Sequence, residues 1–106
     1  MDAGIRRVVW TGNAKTSLED AISYVAKDDQ SAALNLLDRI LAKAESLGTF
    51  SERGRMVPEL ARPEVREVLI HSYRLLYHVT ASEVRILSLL HGARDFETWR
   101  ISHPDV

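Results

Sequence analysis

Residues 65–91, VREVLIHSYRLLYHVTASEVRILSLLH, decide the fold. They contain three strand-like runs, Val65–Ile70, Tyr73–Val79 and Glu83–Leu90, separated only by His71-Ser72 and Thr80-Ala81-Ser82. Breaks that short predict tight hairpins and therefore an antiparallel meander. In the middle run Tyr73, Leu75, Tyr77 and Val79 share one face, opposite Arg74, Leu76 and His78. In the first, Arg66, Val68 and Ile70 alternate with Val65, Glu67, Leu69 and His71; in the last, Val84, Ile86, Ser88 and Leu90 oppose Arg85, Leu87, Leu89 and His91. A sheet with this much apolar surface must have one face covered, which leaves the other face or its edge to present arginines.

The cover lies upstream. Ala14, Leu18, Ala21, Ile22 and Val25 recur at helical spacing and form one stripe of an amphipathic helix, with Thr11 or Asn13 placed to cap it. After the polar cluster 27–31, where Asp29 or Ser31 can cap a second helix, a wider stripe runs through Ala33, Leu36, Leu37, Ile40, Leu41, Ala44 and Leu47. Gly48 stands where a left-handed C-terminal cap is expected. So short a break between two helices predicts an antiparallel helical hairpin. Ile5–Trp10 (IRRVVW) reads as a further short strand, partly buried on both faces. Residues 1–106 thus make a single α+β domain, a helical hairpin packed on a small antiparallel sheet in the order β-α-α-β-β-β.

Two segments resist that pattern. Thr49–Glu64 has no period and carries Gly54, Pro58 and Pro63 with three arginines, Arg53, Arg55 and Arg62. Connections of that length are uncommon in compact domains and are often functional. Met56, Val57, Glu59 and Leu60 indicate that it is partly pinned down. The tail from Gly92 is polar, with Phe96, Trp99 and Ile101 spaced for a short helical turn or an extended arm.

Composition removes whole classes of function. There is no Cys, so disulfides, Cys-based zinc sites and thiol nucleophiles are excluded. With 14 Lys+Arg against 15 Asp+Glu, the net charge of −1 disfavours a protein that coats polyanions at large. No apolar run approaches the ~20 residues of a membrane span, and Met1–Trp10 lacks the apolar core of a secretory signal, so a cytoplasmic location is expected. Four scattered His with no i, i+4 pair argue against a metal site, and no phosphate loop or other cofactor motif is present.

What remains is a set of arginines with a histidine: Arg53, Arg55, Arg66, Arg74, His91 and Arg94. The arginine fork matches phosphate and carboxylate, and histidine titrates near physiological pH. Such a set can hold a scissile phosphate and move a proton, or it can be paired with Glu52, Glu59, Glu64 and Asp95.

The stretches VVWTGNAKTSLEDAISYVA, GRMVPEL, VREVLIHSYRLLYHV and RILSLLHGARD, in that order, resemble the RelE/ParE superfamily of toxins from bacterial type II toxin–antitoxin systems. The resemblance covers nearly the whole chain. It implies an α+β domain whose first strand joins the sheet beside the last. It also implies a growth inhibitor of the kind associated with plasmid stabilization, neutralised by a cognate antitoxin and free of small-molecule cofactors. Members divide by target, DNA gyrase for ParE-like proteins and ribosome-bound mRNA for RelE-like endoribonucleases. Arg74 and Arg94 fall where two RelE arginines act on the phosphate, and Arg66 where a lysine would be. Val68 stands in place of a second lysine, and Trp99-Arg100 in place of a C-terminal tyrosine. His91 belongs to a His-Gly-x-Arg-Asp ending closer to ParE. The resemblance therefore favours gyrase as target, with Arg53 and Arg55 as target contacts. The alternative is RNA cleavage by Arg66, Arg74, His91 and Arg94. The antitoxin is expected to wrap the hairpin, touching apolar residues on its outer side such as Ile22 and Leu41.

The near-zero net charge hides an uneven distribution. Residues 49–106 hold eight of the eleven Arg, no Lys and all four His, offset by eight acids. A local anion site at Arg66, Arg74, His91 and Arg94 is compatible with that balance.

Overall fold

The computed structural model describes residues 5–104, apart from the side chains of Ala93 and Arg94. The chain runs β1 (Arg7–Trp10), α1 (Gly12–Ala26), α2 (Gln30–Ser46), β2 (Arg55–Met56), β3 (Val65–Ile70), β4 (Tyr73–Val79), β5 (Glu83–His91) and α3 (Gly92–Ser102). Thr11 caps α1, its hydroxyl accepting the Ala14 N–H at 3.2 Å and donating to the Ile86 carbonyl at 2.8 Å, so the cap also fastens the helix to the sheet. Asp29 caps α2 by accepting the Ala32 N–H. The two helices pack as the expected hairpin.

The sheet order is β1-β5-β4-β3-β2. The three strands of the meander pair antiparallel, as their tight turns dictate. The expected all-antiparallel sheet is mixed, because β1 adds parallel to β5 in the register Arg7↔Glu83 to Trp10↔Ile86. Only short hairpins force antiparallel pairing; β1 and β5 are joined through the whole intervening chain and are free of that constraint.

One slip in register re-sorts β5. Leu76 pairs with Ser88 while Tyr77 pairs with Ile86, so Leu87 is an extra residue in a bulge. The simple alternation expected through Glu83–Leu90 breaks there. Leu89 joins Val84 and Ile86 in the core under the hairpin, and Leu90 turns to the opposite face. The Leu89 N–H, beyond the reach of β1, donates to Ser17 Oγ of α1 at 2.9 Å.

Both faces of the sheet are covered. The hairpin buries Leu36, Ile40 and Leu47 against Val68, Leu75, Tyr77 and Ile86. On the other face Val57, Val65, Leu76 and Leu90 pack with Phe96 and Trp99 of α3 in a second, smaller core. The tail is therefore an eleven-residue helix that closes a face expected to present arginines. Gly48 is not left-handed: the C-cap of α2 is Leu47 in ordinary helical geometry. Gly48 is needed instead for close approach, since a Cβ there would lie 2.6 Å from the Arg6 carbonyl oxygen.

Candidate functional site

The aperiodic segment 49–64 is tied down by buried hydrogen bonds. The Tyr77 hydroxyl, wholly buried, donates to the Ser51 carbonyl at 2.8 Å and accepts the Gly54 N–H at 2.9 Å. Burial pushes the Tyr77 phenol above its ordinary pKa. Gly54 fits because it lacks a Cβ, which would sit 2.4 Å from the Glu67 carbonyl oxygen and 2.6 Å from the Tyr77 hydroxyl. This anchoring lets β2 pair with β3, placing Arg55 opposite Glu67.

From that pairing grows a line of four charges. Arg55 donates to Glu67 Oε2, with Nε at 2.7 Å and Nη2 at 2.6 Å. Arg74 Nε donates to the other oxygen, Oε1, at 2.6 Å. The two terminal nitrogens of Arg74 then grip Glu59 at 3.0 and 2.8 Å. The Glu67 side chain is 0% exposed and that of Arg74 only 11%. Phe96 stacks over the Arg74 guanidinium at 4.8 Å, and Arg100 donates to the Glu59 carbonyl at 2.9 Å, so the network also seats α3. The hydrogen bond from Arg74 holds the Glu59 carboxyl below its ordinary pKa, and the same bond raises that of Arg74.

The sheet separates the arginine–histidine set. Arg66 pairs opposite Tyr77 and shares its hairpin-side face, where Nη1 donates to the Gly54 carbonyl at 2.9 Å. His91 pairs opposite Tyr73 on that same side; the rings lie 5.0 Å apart and Nε2 is 3.2 Å from Ser72 Oγ. Arg74 pairs opposite Leu69 and lies on the other face. Arg94 falls in the first turn of α3, and its side chain lies outside the described residues. Arg66, Arg74 and His91 therefore do not converge on one anion. Arg53 and Arg55 also diverge: Arg55 joins the buried network, while Arg53 leaves it, stacks on Phe50 at 5.1 Å and donates to Ser46.

On the hairpin, Ile22 packs against the main core instead of facing outward, whereas Leu41 is 43% exposed. Tyr24 and Leu34, which lie off the two apolar stripes, are the more exposed apolar residues of the hairpin. Glu67 is an arginine partner beyond the four expected acids, and a Glu inside an apolar strand is itself the signal of a buried partner. Among the described residues no three His, Asp or Glu converge as metal ligands. Nor, among the described residues, is any helix long and apolar enough to cross a membrane.

Comparison with known proteins gives a consistent result. Residues 8–96 match the family model described as ParE toxin of type II toxin-antitoxin system, parDE. The chain is 34% identical over 89 residues to Toxin RelE2 of Caulobacter vibrioides, covering 83% of this chain and 97% of that one. In fold it is similar to a chromosomal ParDE system from P. aeruginosa (TM-score 0.68, 21% identity, 83% of this chain and 97% of the other). It is also similar to the RelBE2 toxin–antitoxin complex from Mycobacterium tuberculosis (TM-score 0.56, 22% identity, 84% and 93%).

Proposed function

The chain belongs to the RelE/ParE superfamily and is a toxin of a type II toxin–antitoxin system; from that premise we propose that it arrests growth by binding DNA gyrase in the cytoplasm until a cognate antitoxin neutralises it. The observation that carries this reading is the commitment of Arg74. All three guanidinium nitrogens are bonded to Glu67 and Glu59 on the α3 side of the sheet. A ribonuclease must activate the 2′-hydroxyl, stabilise charge on phosphorus and protonate the leaving oxygen. An arginine held by two carboxylates, one of them on the wholly buried Glu67, is a poor phosphate ligand, because its charge is already balanced and its orientation fixed toward them. With Val68 and Trp99-Arg100 at the remaining expected catalytic positions, the set of groups that would work together is depleted.

Ribosome-dependent mRNA cleavage is the second reading, favoured by exposed His91 beside Tyr73 and Ser72 and by the name of the Caulobacter relative. In that case His91 is the proton-transfer group and Arg66 a phosphate ligand. For the antitoxin contact the reading takes the exposed apolar residues of the hairpin, Leu41 with Leu34 and Tyr24, while Ile22 supports them through the packing of α1.

Induced expression without antitoxin, with parallel assays of mRNA cleavage and of supercoiling, separates the two. Growth arrest with impaired supercoiling and intact mRNA is expected. Ribosome-dependent cuts with normal supercoiling would overturn the gyrase reading.

A further inference from the structure

A cleft of about 560 Å³ opens where β5 outruns its neighbouring strand. β1 pairs with β5 only as far as Ile86, because the chain turns into α1 straight afterwards. Further along β5, Ser17 of α1 takes up the Leu89 N–H, and α3 departs from Gly92. The end of β5 is thus the floor of a cleft walled by these two helices.

Each helix turns a polar stripe toward it. Ser17, Asp20 and Tyr24 of α1, and Asp95, Trp99 and Ser102 of α3, line the cleft at spacings of three and four, one face of each helix. Among the described residues Asp20 and Asp95 are its only acids, and no Lys or Arg lines it. Asp95 serves the N-terminus of α3, where Oδ2 accepts the His91 N–H at 3.0 Å. Asp20 stands in the middle of α1, serves no helix end, and forms no ion pair among the described residues. Carboxylates on two walls of one cleft, with no cation between them, do not stabilise the fold.

Trp99 is a second, independent mark of a ligand. The residue is 5% exposed, and its Nε1 is buried without a hydrogen-bond partner. A buried N–H left unpaired costs stability, and nearly all such groups in folded proteins find an acceptor. His103 does not supply one. Its ring lies over the face of the indole, 4.9 Å between centroids and 17° between planes, and its Nδ1 donates to the Trp99 carbonyl at 2.8 Å.

We infer that the cleft binds a small amino sugar, with its ammonium groups against Asp20 and Asp95 and a hydroxyl oxygen accepting the Trp99 N–H. The two carboxylates call for positive charge, whereas the indole N–H calls for an acceptor, which an ammonium group lacks. A polyhydroxylated cation supplies both. Tyr24, 70% exposed, offers an aromatic surface to the sugar ring and to its cations. The volume falls within the range of small-ligand sites. A nucleotide fits worse, because its phosphate would face two carboxylates. This assignment does not depend on which target the toxin has.

The test titrates the purified full chain, isotope-labelled at its tryptophans, with the glucosamine disaccharide at neutral pH. Three comparison ligands separate the contributions: the N-acetylated disaccharide keeps the hydroxyls without charge, putrescine keeps charge without hydroxyls, and AMP brings a phosphate. The chain has two Trp, so two indole N–H signals are read by NMR, and Trp10→Phe assigns them. The glucosamine disaccharide should shift the Trp99 signal, raise Tm and bind at least about ten-fold more tightly than each comparison ligand. Asp20→Asn should weaken it at least about ten-fold with native far-UV CD, whereas Asp20→Glu, which keeps the charge, retains binding. An unmoved Trp99 signal, equal affinity for wild type and Asp20→Asn, or a comparison ligand binding as tightly as the glucosamine disaccharide overturns the proposal.

Discussion

Replacing Arg74 with Ala should damage the fold far more than the loss of one surface arginine. The change strips Glu67, whose side chain is wholly buried, of one of its two partners and frees Glu59 from its bidentate grip. Removing one member of a buried ion pair costs ~3–5 kcal/mol, because the remaining charge stays out of water. Arg55 still serves the other Glu67 oxygen but is itself 60% exposed, which places the cost near the low end, ~3 kcal/mol. For a chain of this size each kcal/mol moves Tm by roughly 4–5 °C, so a drop of roughly 12–15 °C is expected in a CD melt. The double variant Glu67→Leu with Arg74→Leu removes both charges and fills the space with apolar atoms, and should return to within ~1–2 kcal/mol of wild type. A surface-like arginine poised for phosphate would behave otherwise. An Arg74→Ala protein melting within a few degrees of wild type would refute the reasoning.

Three further outcomes follow from the same geometry. Tyr77→Phe leaves the Gly54 N–H and the Ser51 carbonyl buried without their partner and should cost ~1–3 kcal/mol in urea unfolding, with faster proteolysis within 49–64. Ser17→Ala removes the acceptor of the Leu89 N–H and should cost ~1–2 kcal/mol, read as lost exchange protection at that amide. The folded-state pKa of Glu59 lies below its unfolded value; its contribution is therefore complete above the ordinary glutamate range and is lost as pH falls through the depressed value. Glu59→Gln should flatten the acid limb of a stability–pH curve, and an unchanged limb would count against the Arg74–Glu59 bond.

The fold was readable where short-range periodicity governs it. The bounds of β3 and β4 and the helical hairpin follow from local pattern, which also narrows each cap to two residues, of which the structure uses Thr11 and Asp29. The Leu87 bulge was not readable, because an extra residue in a strand leaves the apolar run of Glu83–His91 intact while exchanging its faces. The tail was ambiguous for a related reason: Phe96 and Trp99 form a stripe only once Val57, Leu76 and Leu90 exist to receive it.

The site was readable as a motif but not as an arrangement. GRMVPEL stood out by resemblance, and its physical sense lies in distant residues. Gly54 is fitted to Tyr77, Arg55 to Glu67, Val57 to the second core and Glu59 to Arg74. Nothing near residue 55 in the chain announces those partners. Grouping Arg66, Arg74 and His91 failed because face assignment within each strand does not say how the faces of neighbouring strands align, which hairpin register and the bulge decide.

The most direct test of the claim that Arg74 builds the scaffold while the toxin acts on gyrase is DNA supercoiling by purified gyrase, titrated with wild-type protein and with the folded Glu67→Leu, Arg74→Leu variant. Equal inhibition by both is the predicted result. Unimpeded supercoiling with the wild-type protein, accompanied by ribosome-dependent mRNA cleavage that disappears in the variant, would contradict it.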